Sequence, residues 1–365
     1  EEERDAIWTF LFGSSMDVID RFLPDKERHR MLRGLLAFLA VQSTYRGPYT
    51  PGSAACLAFG FASPPEVRYM RKIEGGIGAL ADHVLRLYES LGGELRLRTR
   101  VARLLLEGGR IAGVETDKGE TLRAPIVISN LDLDQTLLHL VGRDRLPAEL
   151  LRRVDRIDHR AAYVQMHFAL SDKPRFVGDY EFLNEGEAMG TLGLFGGPED
   201  MQRDYEGAMR GLVPEDPSLG FQMPSLFDPE LAPPGHHAAS AYGMYFPVEA
   251  PREEHGRLKS EMGKRIIDKI ARLAPNFPEL ILHQTTFASY HYETMFGATG
   301  GDFCQGLIHP EHLGPFRPGP RGWIDLPLPI EGLYLAGAAC HGGPGVTFIP
   351  GYNCAHEVLR DLGKS

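Results

Sequence analysis

A chain of 365 residues, 43% hydrophobic and 24% charged, has room for two domains, or for one large domain with an insertion. Its net charge of −10 leaves no basic footprint for nucleic acid. The four cysteines, Cys56, Cys304, Cys340 and Cys354, are dispersed; they exclude a CxxC redox pair and point to a reducing compartment.

Taken in chain order, Glu1–Phe22 already has helical spacing, with Trp8, Leu11, Phe12, Ser15 and Ile19 on one face. It begins without Met or signal peptide, as a stretch cut from something longer would. The longest apolar run, Met31–Val41, is interrupted by Arg33 and Gly34 and falls short of the roughly 18 residues a membrane span needs, so a buried helix is expected. Residues 1–70 as a whole read as a helical cap, broken at Arg46–Gly52 and at Ser63-Pro64-Pro65. Next, Gly76, Gly78 and Ala81 satisfy G-x-G-x-x-A, with Glu94 at the distance of a ribose-binding acid. The preceding Val67–Ile73, with Arg68, Arg71 and Lys72, is no buried strand, and the match is set aside as a decoy. The glycines instead open an amphipathic helix that Gly92-Gly93 closes.

Strand signals follow. Leu95, Leu97 and Thr99 alternate, Val101–Leu106 and Ile111–Glu115 flank a glycine turn, and Pro125–Asn130 is a short buried strand. Asp132 or Asp134 can cap a helix reaching Val141. From 146 to 320 the pattern changes to alternating runs (Ala161–Leu170, Ala238–Phe246, Leu280–Tyr290) and one long helix, Glu253–Leu273, which together predict an antiparallel sheet with a covering helix. Phe287, Tyr290, Tyr292, Phe296 and Phe303 bracket Gly297–Gly301 and are assigned to sheet core in preference to an apolar tunnel. His309 and His312 have loose ligand spacing without a third partner, so they are placed on the surface and no metal site is predicted.

At the C-terminal end, Leu333–Ala336 reads as a buried parallel strand running into a loop with Gly337, Gly342, Gly343 and Gly345. A helix follows, with Ala355, Val358 and Leu359 on one face. Strand, glycine loop and helix aim backbone N–H groups and a positive dipole end at an anion or an electron-rich ring edge. The same glycines would also serve a tightly packed turn, and the residues alone leave both readings open.

This stretch resembles the C-terminal signature of the phytoene-dehydrogenase-like branch of the flavin amine oxidase superfamily, G-L-Y-L-x-G-x-x-x-H-P-G-G-G-V. Gly332-Leu333-Tyr334-Leu335, Gly337, His341, Gly343, Gly345-Val346, Gly351 and Asn353 match. Gly342 and Pro344 depart from it, and Pro350 implies a helix that starts late or is kinked in its first turn. The resemblance implies an α/β (α+β) fold: an incomplete FAD-binding Rossmann-like domain from segments 71–145 and 321–365, and an antiparallel-sheet substrate domain over 146–320. It implies FAD as cofactor, with Gly76, Val101, Ser129, Gly337, Gly343, Gly345, Val346 and Thr347 along it. His341 is the candidate catalytic side chain, set against a structural histidine bonded to backbone. The reaction implied is desaturation of a C–C bond in an apolar small molecule, or amine oxidation, by hydride transfer to the flavin. Family members begin with a βαβ unit carrying GxGxxG that is absent here. The chain is therefore expected to be the C-terminal portion of such an enzyme, with FAD held in the full-length parent rather than in these residues alone. A scaffold that has lost FAD and one half of a split flavoenzyme are the alternatives. A second copy or a partner chain is expected to cover Val127, Ile128 and Leu333–Leu335 on the FAD side.

Overall fold

The computed structural model describes residues 2–42, 44–61 and 73–364. The break expected at Ser63-Pro64-Pro65, and residues 67–72 of the stretch that ruled out a dinucleotide fingerprint, lie outside the described residues. In chain order the elements are α1 (Glu2–Phe12), α2 (Ser15–Phe22), α3 (Arg30–Val41), α4 (Ser53–Phe61), α5 (Ile77–Ser90), β1 (Val101–Glu107), β2 (Arg110–Thr116), β3 (Thr121–Arg123) and β4 (Val127–Ser129). A π-helical segment, Asp134–Gly142, leads to α6 (Ala148–Val154), β5 (Tyr163–Leu170), β6 (Thr191–Leu194), α7 (Pro198–Ala208), β7 (Leu219–Gln222) and β8 (His237–Met244). Then come α8 (His255–Leu273), α9 (Phe277–Leu280), β9 (Ile281–Ala288), α10 (Ser289–Phe296), β10 (Gly322–Trp323), β11 (Leu326–Pro327), β12 (Leu333–Leu335) and α11 (Ile349–Asp361). Among the described residues no helix is long and apolar enough to cross a membrane.

The chain forms two compact units, each discontinuous in sequence, so the expected segments 71–145 and 146–320 each contribute to both. The first unit comprises residues 1–95 and 162–289. Its antiparallel sheet has the order β6-β7-β8-β5-β9, and α8 lies on one face. Alternation along β5 sends Val164 and Met166 toward α8, where Gly263 stands so close that an added Cβ would be 3.5 Å from the Met166 methyl. Gly243, opposite Val164 on β8, likewise makes room for Ile266. The three expected strands and the long helix are present, whereas the short β6 and β7 carry glycines at 193 and 220 that hide them from pattern reading.

Two helical expectations change. The helix foreseen over Glu1–Phe22 is broken at Gly13-Ser14, because the Ser14 side chain caps α2 and Asp17 answers on the Ser14 N–H, a reciprocal capping box. The run Met31–Val41 is not a buried helix but an amphipathic one. Ala37, Phe38 and Val41 are buried, while Met31, Leu32, Leu35 and Leu39 face outward. Arg33 lies on the covered face because Asp20 and the Leu23 carbonyl take its guanidinium.

The second unit comprises residues 96–161 and 290–365. β1, β2 and β3 form an antiparallel meander, and β4 and β12 form a two-stranded parallel pair in the register Val127↔Leu333, Ile128↔Tyr334, Ser129↔Leu335. The expected strand over 95–99 does not form: Arg98 takes a left-handed backbone (φ 53) and Lys118 caps its carbonyl, so the chain turns there. The expectation that Leu333–Leu335 would be left uncovered is not met. These residues are 2%, 5% and 1% exposed, since Leu133, Leu137, Leu150, Trp323, Leu328 and Ile330 complete a core around them. Ile128, by contrast, is 51% exposed.

Candidate functional site

The carboxyl ends of β4 and β12 lie side by side, which is where open parallel α/β sheets place their ligands. The last rung is the Ala336 N–H donating to Ser129 O at 2.9 Å. Ser129 also turns its hydroxyl inward, 2.7 Å from Thr136 Oγ1 on the π-helical segment, and accepts from Leu131 N–H. Beyond β12 the loop through Gly345 leads into α11, which starts late at Ile349 with Pro350 in its first turn.

The glycines of this loop divide by what a Cβ would meet. At Gly337 it would stand 2.5 Å from Gln305 Oε1, at Gly342 2.3 Å from Ile349 Cγ2, and at Gly343 2.5 Å from Ala338 O. Those three permit packing. At Gly345 (φ 121) only Thr347 Cγ2 comes within 4 Å, and at Gly351 nothing does, so the backbone of the helix entrance is open to a flat group. Thr347 Oγ1 donates to Gly342 O at 3.0 Å and receives Ile349 N–H, which ties the entrance to the loop. Val346, Phe348, Ile349 and Tyr352 surround this spot as exposed apolar side chains. An open glycine backbone, a helix start with no acidic residue in its first turn and an apolar collar fit the edge of a planar, electron-rich ring such as a flavin's.

His341 is exposed, and its Nδ1 lies 2.8 Å from Gly314 O, so its ring is fixed by a backbone carbonyl, as a structural histidine's would be. Val101 begins β1 opposite Thr116. Gly76 belongs to the first unit, where it opens α5 at φ 81; the other candidates belong to the second unit.

Behind the loop is a polar layer of which pattern reading foresaw only the Asp132 cap. Asp132 caps the π-helical segment through Gln135 N–H and also accepts Thr299 N–H and its hydroxyl. His159 sits between two carboxylates, its Nε2 3.1 Å from Asp134 and its Nδ1 3.3 Å from Asp302. Burial alone would push this imidazole down, but the paired aspartates outweigh it and hold it at about 9. Arg317 is buried and donates to four backbone carbonyls, those of His312, Cys304, Ala338 and Gly306. Desolvation lowers its guanidinium to about 10. His312, expected at the surface, is buried, because Gly306 (φ 114) lets the ring lie where a Cβ would collide with Nε2. Burial, and then the nearby Arg317 charge, push it down to about 3, so it is neutral. Phe296 and Phe303 are 67% and 51% exposed and do not belong to a sheet core. No group of three or more metal-ligating side chains occurs among the described residues.

In the first unit, the sheet face turned away from α8 carries Tyr163 stacked on Tyr242 at 5.5 Å and His167 edge-on to Phe287 at 6.2 Å. Tyr242 donates to Gln42 O, and burial lowers the His167 imidazole. This face is aromatic with a few hydrogen-bonding groups; Tyr163 is buried within it and His167 is exposed.

Comparison with known proteins matches residues 14–353 to the Flavin containing amine oxidoreductase family. The chain belongs to that family. Among curated relatives, Pyridine nucleotide-disulfide oxidoreductase domain-containing protein 2 of Mus musculus is 28% identical over 94% of this chain and 61% of its own length. Hydroxyneurosporene desaturase of Cereibacter sphaeroides is 28% identical over 95% of this chain and 64% of its own. The chain thus spans under two thirds of these relatives. Among solved structures, an oxidoreductase from Methanosarcina mazei superposes with a TM-score of 0.58 at 19% identity, covering 95% of this chain and 68% of that one. A putrescine oxidase variant does so at 0.58 and 11% identity, covering 97% and 68%. These likenesses establish the mixed α/β fold, and family membership implies a flavin cofactor.

Proposed function

We propose that this chain provides the flavin-ring face and the substrate sheet of an FAD-dependent oxidoreductase that removes hydride from an organic substrate. The observation that carries the reading is the parallel β4–β12 pair opening into a loop whose backbone is bare at Gly345 and Gly351, at the entrance of α11. The flavin, when bound, accepts the hydride. The protein's part is to orient and to exclude water. With the Ile349 N–H taken by Thr347 and none on Pro350, the Gly351 N–H and the helix dipole at the α11 entrance would favour electron density on a ring edge there, and the collar of Val346, Phe348 and Tyr352 would cover it. Arg317 keeps the Ala338 carbonyl turned inward, away from the ligand side of the loop. On the sheet of the first unit, His167 is held toward its neutral form, able to accept or donate a hydrogen bond without adding charge. Relatives named as desaturases make desaturation of an apolar substrate the first reaction to try, with amine oxidation second.

Titration with FAD, followed by quenching of flavin fluorescence, tests the reading on residues 1–365 and on the protein expressed from its complete reading frame. Stoichiometric uptake by the latter, with bleaching of the visible band by substrate, is the expected result. A complete protein that takes up no flavin overturns it.

A further inference from the structure

Gln305 touches both carboxyl ends of the parallel pair. Its Nε2 donates to the carbonyl of Asn130, the residue after β4, at 3.1 Å. Its Oε1 accepts the N–H of Ala339, in the loop after β12, at 3.1 Å. A single amide thus bridges the two strands just past their last rung. The fit is close enough to dictate a neighbour: a Cβ at position 337 would stand 2.5 Å from Gln305 Oε1 and 2.9 Å from Asn130 O, so that position is glycine. Gln305 itself has a left-handed backbone (φ 54) that L side chains rarely adopt. Such an outlier persists only where its surroundings over-determine it.

The surroundings do so. Asp302 accepts the N–H groups of Cys304 at 2.8 Å and Gly306 at 2.6 Å, on either side of Gln305. Arg317 holds the carbonyls of Cys304 and Gly306, and with the same guanidinium the carbonyl of Ala338. The segment that presents Gln305 and the segment that receives it are therefore fastened to one buried cation, and the bridge has little freedom to slide.

We propose that Gln305 is a positioning residue: it wedges between the ends of β4 and β12 and fixes the loop Gly337–Thr347 in the conformation that meets the flavin ring. The inference rests on the flavin reading given above. Replacing Gln305 with glycine removes the bridge while relieving the left-handed backbone, so this variant is expected to fold. Gln305→Glu keeps the acceptor for Ala339 N–H and loses the donor to Asn130 O. Two measurements are made on each protein. Amide hydrogen exchange without cofactor is expected to quicken at least tenfold at Ala339 in Gln305→Gly, with the amides of β5 unchanged. FAD affinity, read by fluorescence quenching, is expected to fall at least tenfold with a shift of the visible flavin band, and Gln305→Glu is expected to lie between wild type and Gln305→Gly in both. Unchanged exchange at Ala339, or an unchanged affinity and band in Gln305→Gly beside a wild type that binds FAD, overturns the proposal alone. A wild type that binds no FAD in any form removes the flavin reading and this proposal with it.

Discussion

Substituting His159 with glutamine should make the stability of the protein lose a pH dependence of calculable sign. In the folded chain the imidazole is wedged between Asp134 and Asp302, nearly shielded from solvent, and titrates at about 9 against an ordinary 6.5. At about 1.4 kcal/mol for each tenfold change in proton affinity, that difference contributes about 3 kcal/mol of stability. Because the folded value is the raised one, the contribution is fully present below pH 6.5 and is lost as pH rises through 9. Glutamine can replace a hydrogen bond but not the charge. Urea unfolding of wild type and His159→Gln should therefore show a gap at pH 6 that shrinks by about 3 kcal/mol on going to pH 9.5. Titrations elsewhere are common to both proteins and cancel. A gap that stays constant across this range, or widens with pH, would refute the charged-histidine reading and leave His159 as a neutral packing group.

Arg317→Met leaves the carbonyls of His312, Cys304, Ala338 and Gly306 without their donor, and should cost more than about 3 kcal/mol in urea unfolding; a loss under about 1 would mean that water replaces the guanidinium. Gly345→Ala and Gly345→Asp suffer the same backbone strain at φ 121, so their melting temperatures should agree, yet the aspartate should weaken FAD binding further by placing a carboxylate at the entrance of α11; equal affinities would make the loop a packing turn. Ile128, half exposed on β4, is expected to lie in a self-association contact, so light scattering should give a dimer or larger species that Ile128→Asp weakens; a monomer with protected amides at 127–129 would remove that argument.

Sequence by itself determined whatever depends on residues close together in the chain. The 3.6-residue spacing of Leu258, Met262, Ile266 and Ile270 gives α8, alternation gives β5, β8 and β9, and the glycines from 337 to 345 mark the loop before α11. The late start of that helix follows from Pro350, which suits a first turn and disrupts any later one. What pattern could not decide is which faces are covered. Met31 and Leu35 are as apolar as Phe38, and Ile128 as Leu335, yet Met31, Leu35 and Ile128 face outward, because burial is set by elements far along the chain. His312 and Arg317 look like surface residues until Gly306 and four carbonyls, all brought by tertiary folding, enclose them. The bridge from Gln305 to Asn130 and Ala339 joins positions 175 and 34 residues apart, through a left-handed backbone that no local preference selects. Hydrogen bonds to buried backbone are distance-dependent and not sequence-dependent, so the groups that shape the site became visible only when the chain was folded around them.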